Sequence, residues 1–341
     1  MATLGASVLT LTDWAKRLDP GGKVDMTVEL MSQTNEILTD MLFKEGNLPT
    51  GERTTIRTGL PTVYWRLLNQ GVTPSKSTTA QVDESCGMLE AWSEVDKDLA
   101  ELNGNVGQFR LNEARAFLEA MNVEMADTLF YGSAANPEEF VGLANRYSSL
   151  SANNAENIID AGGSGSDNSS VWLVAWGPNQ VHGVFPKGTK AGITHEDMGL
   201  VTVETTAGIA GNRMRAYQDR WQWKNGLVVK DWRYAVRIPN IDISDLQGLA
   251  TTQATTASTF LPKLMSRAID RLPSTKGVKL AFYANRTVLS HLRVAAMEKA
   301  TNTLSIEPGL NQFGENIQTT RFLGIPVRMV DALTEAEAVV S

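Results

Sequence analysis

Residues 48–95 constrain this chain more than any other stretch, because they look ordered yet cannot fold alone. The run passes from Leu48-Pro49-Thr50-Gly51 through Thr54-Thr55-Ile56-Arg57-Thr58 and Thr62-Val63-Tyr64-Trp65-Arg66-Leu67 to Gly71-Val72-Thr73-Pro74. It continues through Ser77-Thr78-Thr79-Ala80-Gln81-Val82 to Trp92-Ser93-Glu94-Val95. β-Branched and aromatic residues suit a pleated surface, and the Gly and Pro between them read as turns. The segment has too few large apolar side chains to close a core of its own. A two-stranded ribbon of this kind is marginal alone in water, and long structureless loops are uncommon inside compact domains. Something outside the subunit's own core must cover it, so the expectation is a protein whose folded state is an assembly.

The rest of the chain is ordinary globular material. Its 341 residues suffice for two or three compact units, and 42% apolar with 20% charged residues excludes a disordered or fibrous class. No run approaches the roughly 18 uninterrupted apolar residues of a spanning helix. Met1-Ala2-Thr3-Leu4-Gly5-Ala6 lacks the features of a signal peptide, so a cytoplasmic origin and no membrane partner are expected. The single cysteine, Cys86, excludes an internal disulfide and any multi-Cys metal site. A net charge of −7 weighs against binding nucleic acid by neutralising phosphates.

Along the chain, residues 1–22 read as a polar arm ending at Asp19-Pro20-Gly21-Gly22. Helical spacing follows over Val24–Phe43, with Val28, Met31, Asn35, Leu38 and Leu42 on one face. Phe109–Tyr131 is the clearest helix: Ala114, Phe117, Leu118, Met121, Met125 and Leu129 form its apolar stripe, and Gly132 stops it. At about 1.5 Å per residue it is long enough to act as a strut. Asn136–Leu143 reads as a turn into a short strand. Asn153–Ser170, rich in Asn, Gly and Ser, reads as a flexible surface loop. Val171–Trp176 is a buried strand. Arg213–Trp223 and Gly226–Ile238 have period two, with Asn225-Gly226 as a hairpin signal between them. Helices are expected over Phe260–Leu272 and from the N-cap Asn285 to Lys299, the latter burying Val288, Leu289, Leu292, Ala295 and Ala296. The end, Gln318–Val330, reads as strand, turn at Gly324-Ile325-Pro326, strand. No internal repeat is present, and the class is mixed α+β.

The catalytic inventory is bare. There are three histidines, His182, His195 and His291. Thr194-His195-Glu196-Asp197 is the best local cluster, but neighbouring residues rarely converge on one ion, and a solvated loop is the expectation. Gly163-Ser164-Gly165-Ser166 lacks the strand and helix of a nucleophile elbow, and Lys187-Gly188-Thr189-Lys190 lacks the order of a phosphate loop. No catalytic, cofactor or metal site is expected, and no enzymatic activity. Arg213–Lys224 mixes cations and aromatics as single-strand binders do. Alternation puts Tyr217, Trp221 and Trp223 on one face with Arg213 and Arg215, which fits a cross-strand aromatic cluster better.

The order of parts resembles the major capsid protein of tailed double-stranded-DNA phages, a fold shared with herpesvirus shells and encapsulins. Three stretches carry the likeness: Phe130-Tyr131-Gly132 followed by Phe140-Val141-Gly142-Leu143; Trp223-Lys224-Asn225-Gly226-Leu227-Val228-Val229 leading to Arg237-Ile238-Pro239-Asn240-Ile241; and Phe322-Leu323-Gly324-Ile325-Pro326-Val327-Arg328 before Asp331-Ala332-Leu333. The resemblance implies an N-terminal arm with the first helix over 1–47, an extended β-hairpin loop over 48–95, a peripheral domain over 96–144 and 311–341 with the spine helix 109–131, and an axial domain over 145–310.

It further implies an icosahedral shell subunit in the virion capsid, assembled in the host bacterial cytoplasm through pentamers and hexamers around the double-stranded DNA genome. DNA would lie against the inner face without sequence-specific contact. Candidate assembly contacts are Arg53, Arg57, Tyr64, Trp65, Arg66, Trp92, Arg213, Arg215, Trp221 and Trp223. With the arm beginning at residue 1, the resemblance implies a separate scaffolding protein or a chain in its mature form, Met1 favouring the former, together with a portal and, as an option, a decoration protein. Lys76 carries no specific sign of the covalent cross-linking found in some relatives. Two alternatives stand beside this reading: an encapsulin-like compartment shell, and a carbohydrate- or single-strand-binding module built on Trp221, Trp223 and nearby arginines.

Overall fold

A computed structural model describes residues 33–102, 105–204, 213–248, 254–297, 304–310 and 316–341. The arm, and Val28 and Met31 of the first expected helix, lie outside the described residues. Of that helix the structure has a single turn, α1 (Ile37–Asp40), followed by β1 (Phe43–Glu45).

The ribbon is present as β2 (Gly51–Gly59) and β3 (Thr78–Ser85), an antiparallel pair joined to no other strand among the described residues. Its return strand β4 (Gly87–Asp96) leaves it and joins the main sheet. One turn of helix, α2 (Lys97–Glu101), then leads to the spine helix α3 (Val106–Tyr131). The spine starts three residues before the expected Phe109, because Asn105 caps it by accepting from the Gln108 amide at 3.3 Å. Its 26 residues span about 39 Å.

Met121, Met125 and Leu129 of the expected stripe are buried, Ala114 and Phe117 are partly buried, and Leu118 is 39% exposed. Among the described residues, burial of the spine concentrates in its C-terminal half, with Phe109 as the buried residue near its start. At that end, Gly132 and Gly142 let the following segment turn back against the helix: a Cβ on Gly132 would sit 2.3 Å from the Phe140 carbonyl oxygen. The segment after the turn enters a short helix, α4 (Leu143–Arg146), and not the expected strand. Its backbone makes one bond to the spine end, from Gly142 N to Gly132 O at 2.8 Å, and no ladder.

Among the described residues, eleven strands form one hydrogen-bonded network. Its centre is β5 (Asn168–Trp176), flanked by β9 (Ala235–Asp242) and β10 (Lys279–Ala284). All nine residues of β5 are buried. Trp172, Val174 and Trp176 enter one core with Phe130, Leu129 and Tyr147, while Val171 and Leu173 enter a second with Val236, Ile238 and Phe282. A strand covered on both faces needs a continuous apolar run, and Val171–Trp176 supplies it. The expected surface loop of 153–170 therefore ends earlier, since Asn168, Ser169 and Ser170 are already buried strand residues.

The second core is roofed by α6 (Ala254–Arg271) and α7 (Arg286–Met297), with α5 (Ile243–Gly248) before them. Asn285 caps α7 through the Thr287 amide at 2.9 Å, and Val288, Leu289 and Leu292 are buried as expected. The side chains of Ala295 and Ala296 lie outside the described residues. The chain closes through β11 (Leu304–Leu310), β12 (Asn316–Phe322) and β13 (Ile325–Met329), with β13 running parallel to β10.

The largest correction concerns β8 (Arg213–Val229). It is one strand of 17 residues, not two strands around a hairpin at Asn225-Gly226. It pairs with β4 along 216–225, with β7 (Ile193–Glu204) along 213–223, and with β6 (Val181–Phe185) along 226–229. A hairpin turn of that sequence would need positive φ at both residues. Gly226 instead serves close approach, since a Cβ there would lie 2.6 Å from the Ser85 carbonyl oxygen.

Candidate assembly interface

The ribbon's root is where it meets the body. Three chain segments cross there at glycines: a Cβ on Gly51 would lie 1.9 Å from the Glu84 carbonyl oxygen, and one on Gly46 would lie 2.3 Å from that of Gly51. The Cys86 amide donates to Thr50 O at 2.9 Å, and burial pushes the Cys86 thiol up to about 11. Glu52 is buried and held by Lys230 Nζ at 2.7 Å, His182 Nε2 at 2.9 Å and Lys44 Nζ at 3.5 Å. Opposite it in the ladder, Glu84 takes a bidentate pair from Arg146 at 2.5 and 2.7 Å.

Burial alone would raise the Glu52 carboxyl, but the bonds from Lys230 and His182 and their charges bring it below its ordinary value. His182 is fully buried, and burial, aided by Lys230 and Lys44, lowers its pKa despite the Glu52 bond. The ring is therefore neutral at pH 7, with Nε2–H donating to the ionised carboxylate.

Beyond the root the ribbon touches little. Residues 60–77 link β2 to β3 with a turn at Asn69 (φ 65°), and Ser75 Oγ donates to Thr62 O at 2.6 Å. Trp65 is fully exposed, Val63 and Leu68 are more than 85% exposed, and Tyr64 is more than half exposed. Arg53 is bound bidentately by Asp83 across the strands. Arg57 and Arg66 are exposed without an ion-pair partner among the described residues. The tip thus presents an exposed apolar patch formed by Val63, Tyr64, Trp65 and Leu68.

The other expected contact residues divide. Trp92 is 42% exposed on the outer face of β4, with the Arg220 guanidinium 5.5 Å from its ring centre and Glu90 accepting its indole N–H at 2.6 Å. Arg213 and Arg215 are exposed at the start of β8. Trp221 and Trp223 are not surface residues, at 3% and 7% exposure. Trp221 stacks between Phe117 of the spine and His195, at 5.3 and 5.2 Å, because the face of β8 carrying both tryptophans is the one the spine covers. The ligand-binding reading that required them as an open platform loses it.

His195 also departs from expectation, since Thr194–Asp197 lies in strand β7 and not in a loop. Its Nε2 meets Asp219 at 2.9 Å, and Arg110 of the spine reaches both Asp219 and Asp197, at 2.8 and 2.7 Å. Among the described residues no group of three or more His, Cys, Asp or Glu is placed to hold a metal.

The family model of major capsid protein GP7 matches residues 19–341. The chain belongs to that family. In this family context the exposed ribbon, the long spine and the two-sided β5 are those of a phage capsid protein, and the chain is a structural subunit of an icosahedral capsid shell. Among solved structures, a chain of bacteriophage Epsilon15 shares 32% identity at a TM-score of 0.77, and the match covers 100% of both chains. A chain of Mycobacterium phage Adephagia, at 10% identity and a TM-score of 0.42, matches over 65% of this chain and 92% of its own. The SrpI encapsulin of Synechococcus elongatus PCC 7942, also at 10% and 0.42, matches over 68% and 96%. Those two likenesses carry no weight for function. No curated protein matches the chain in sequence.

No single motif marks the root anchors, buried Glu52 and His182 and part-buried Glu84 and Arg146, which sequence reasoning missed. They are distant in sequence, and only the fold brings them together.

Proposed function

We propose that this capsid protein assembles through pentamers and hexamers, with residues 60–77 of each copy covered by a neighbour, into a shell that encloses a double-stranded DNA genome. The observation that supports it is the uncovered ribbon tip, Trp65 above all, which is fully exposed and has no partner among the described residues. A large obligate interface offsets the cost of ordering such a segment. The acidic total suits a container that confines DNA by closure and leaves the inner face without sequence-specific contact. The role is structural and non-enzymatic. Residues 1–47, 48–95, 96–144 with 311–341, and 145–310 act as arm, extended loop, peripheral domain and axial domain. Assembly takes place in the host cytoplasm with scaffolding, a portal and an optional decoration protein.

The test is the particle mass of the purified chain by light scattering, with negative-stain images of the same fraction. Megadalton particles with five- and six-fold units are expected. A stable monomer under all conditions would overturn the proposal.

A further inference from the structure

Two deficits in the same chain match one another. Residues 53–82 contain four cations, Arg53, Arg57, Arg66 and Lys76, and no carboxylate. Asp83 answers Arg53. Arg57, Arg66 and Lys76 have no ion-pair partner among the described residues, and they flank the bare Trp65.

On the body, a pocket of about 200 Å³ lies between β4 and the C-terminal half of the spine. Its floor is Leu89, Met125 and Phe140, and its rim is Glu124, Glu138 and Glu139. No cation among the described residues pairs with any of the three carboxylates. Glu139 is fixed in place, accepting from the Ser133 amide at 3.3 Å and from Asn136 Nδ2 at 3.1 Å. Nearby Asp127 has its carboxyl pushed up by burial, and further by Glu124 and Glu139, so negative charge is crowded here without an answer. The pocket is smaller than the roughly 300–1,000 Å³ of small-molecule sites. It suits one large side chain.

We propose that this pocket receives the ribbon tip of a second copy, with Trp65 entering over Leu89, Met125 and Phe140 while Arg66 and Lys76 meet the carboxylate rim. The proposal rests on the reading of the ribbon tip as an intersubunit contact and names its receptor. The two surfaces are different patches of one chain, so the contact is heterologous and propagates head to tail around a ring. Charge fixes the register of such a contact, and the buried aromatic anchors it.

Two sets of variants test it. In the first, Arg66→Cys and Glu138→Cys are combined and the assembled particles are oxidised. A ladder of covalently linked subunits on a non-reducing gel is expected, absent from either single variant. Particles without a ladder would overturn the proposal while leaving the shell intact. In the second, Glu138→Lys with Glu139→Lys lowers particle yield about tenfold, the scale of one broken ion pair per interface. Adding Arg66→Glu and Lys76→Glu restores the yield to within about twofold. An unchanged yield in the first member, or no restoration in the second, overturns the pairing. Absence of particles from the unsubstituted chain, also when it is produced together with its scaffolding protein, would overturn the ribbon-tip reading itself.

Discussion

Glu52 and Glu84 sit directly opposite each other across the ribbon ladder, and each carboxylate is bound by a different cation of the body. Directly opposed residues of an antiparallel pair point to the same face, where like charges are unfavourable. Lys230 with His182 on one side and Arg146 on the other turn that repulsion into two anchors. The ribbon is thus fixed at its root and bare at its tip.

Removing one anchor leaves a poorly solvated cation behind. Glu84→Ala strands Arg146, whose side chain is 18% exposed, and should destabilise the subunit by roughly 2 kcal/mol. Urea unfolding of the unassembled subunit measures this, and faster amide exchange at Cys86, bonded to Thr50, should accompany it. Unchanged exchange at Cys86 would show that Glu84 does not hold the root.

The same root gives a pH dependence with a definite sign. Both His182 and Glu52 have folded pKa values below their ordinary 6.5 and 4.5. A depressed pKa contributes stability that is present above the unfolded value and lost as pH falls through the folded one. Protection of the root amides should therefore weaken below pH 6.5, as His182 gains a proton, and again below 4.5 with Glu52. His182→Gln should remove the first step and keep the second, as read by hydrogen exchange across the range.

The C-terminal tail is locked by a buried pair. Glu337 accepts from Arg237 at 2.8 Å, from Tyr131 at the spine's end at 2.6 Å, and from Ser170 of β5. Arg237 also donates to Tyr147 O at 2.9 Å and lies 5.2 Å from the Trp172 ring centre. Glu337→Ala leaves that guanidinium buried without its counter-ion and should cost roughly 3–5 kcal/mol. A loss below about 1 kcal/mol in chemical denaturation would mean the tail is dispensable.

The ribbon tip behaves oppositely. Replacing residues 60–77 with a short Gly-Ser link should change subunit stability by less than about 0.5 kcal/mol, since all of them are exposed among the described residues. Particle formation should be lost. Normal shells from this variant, seen by light scattering, would remove the ribbon tip from the assembly interface.

Gly324 takes φ 81° in the turn between β12 and β13, in open space where an added Cβ meets nothing within 4 Å. Gly324→Val is therefore a purely conformational change, costing roughly 1 kcal/mol. Gly324→Asn should cost less, because Asn tolerates this region. Equal melting temperatures for the two variants would contradict the turn argument.

Much of this architecture was legible in the sequence because it depends on local pattern. The apolar run Val171–Trp176 has no polar face and must be covered on both sides, which is how β5 lies. The Met121–Met125–Leu129 stripe, the Gly132 stop, the Asn285 cap and the turn at Gly324 each follow from residues a few positions apart. The expectation that the ribbon lacks cover of its own followed from what the segment lacks, and Trp65 is bare in the structure.

What only the tertiary structure decided are the partnerships between distant segments. Period two assigns Trp221 and Trp223 to one face of a strand, but whether the spine or a neighbour covers that face depends on where Phe117 arrives. Asn225-Gly226 has local turn chemistry, overridden because Ser85 passes too close for any side chain. His195 is solvated as expected, its side chain half exposed, but it sits in a strand where Asp219 and Trp221 meet it across the ladder. Local sequence sets backbone preference and face over a few residues, whereas burial and ion pairing are set by groups tens to hundreds of positions away.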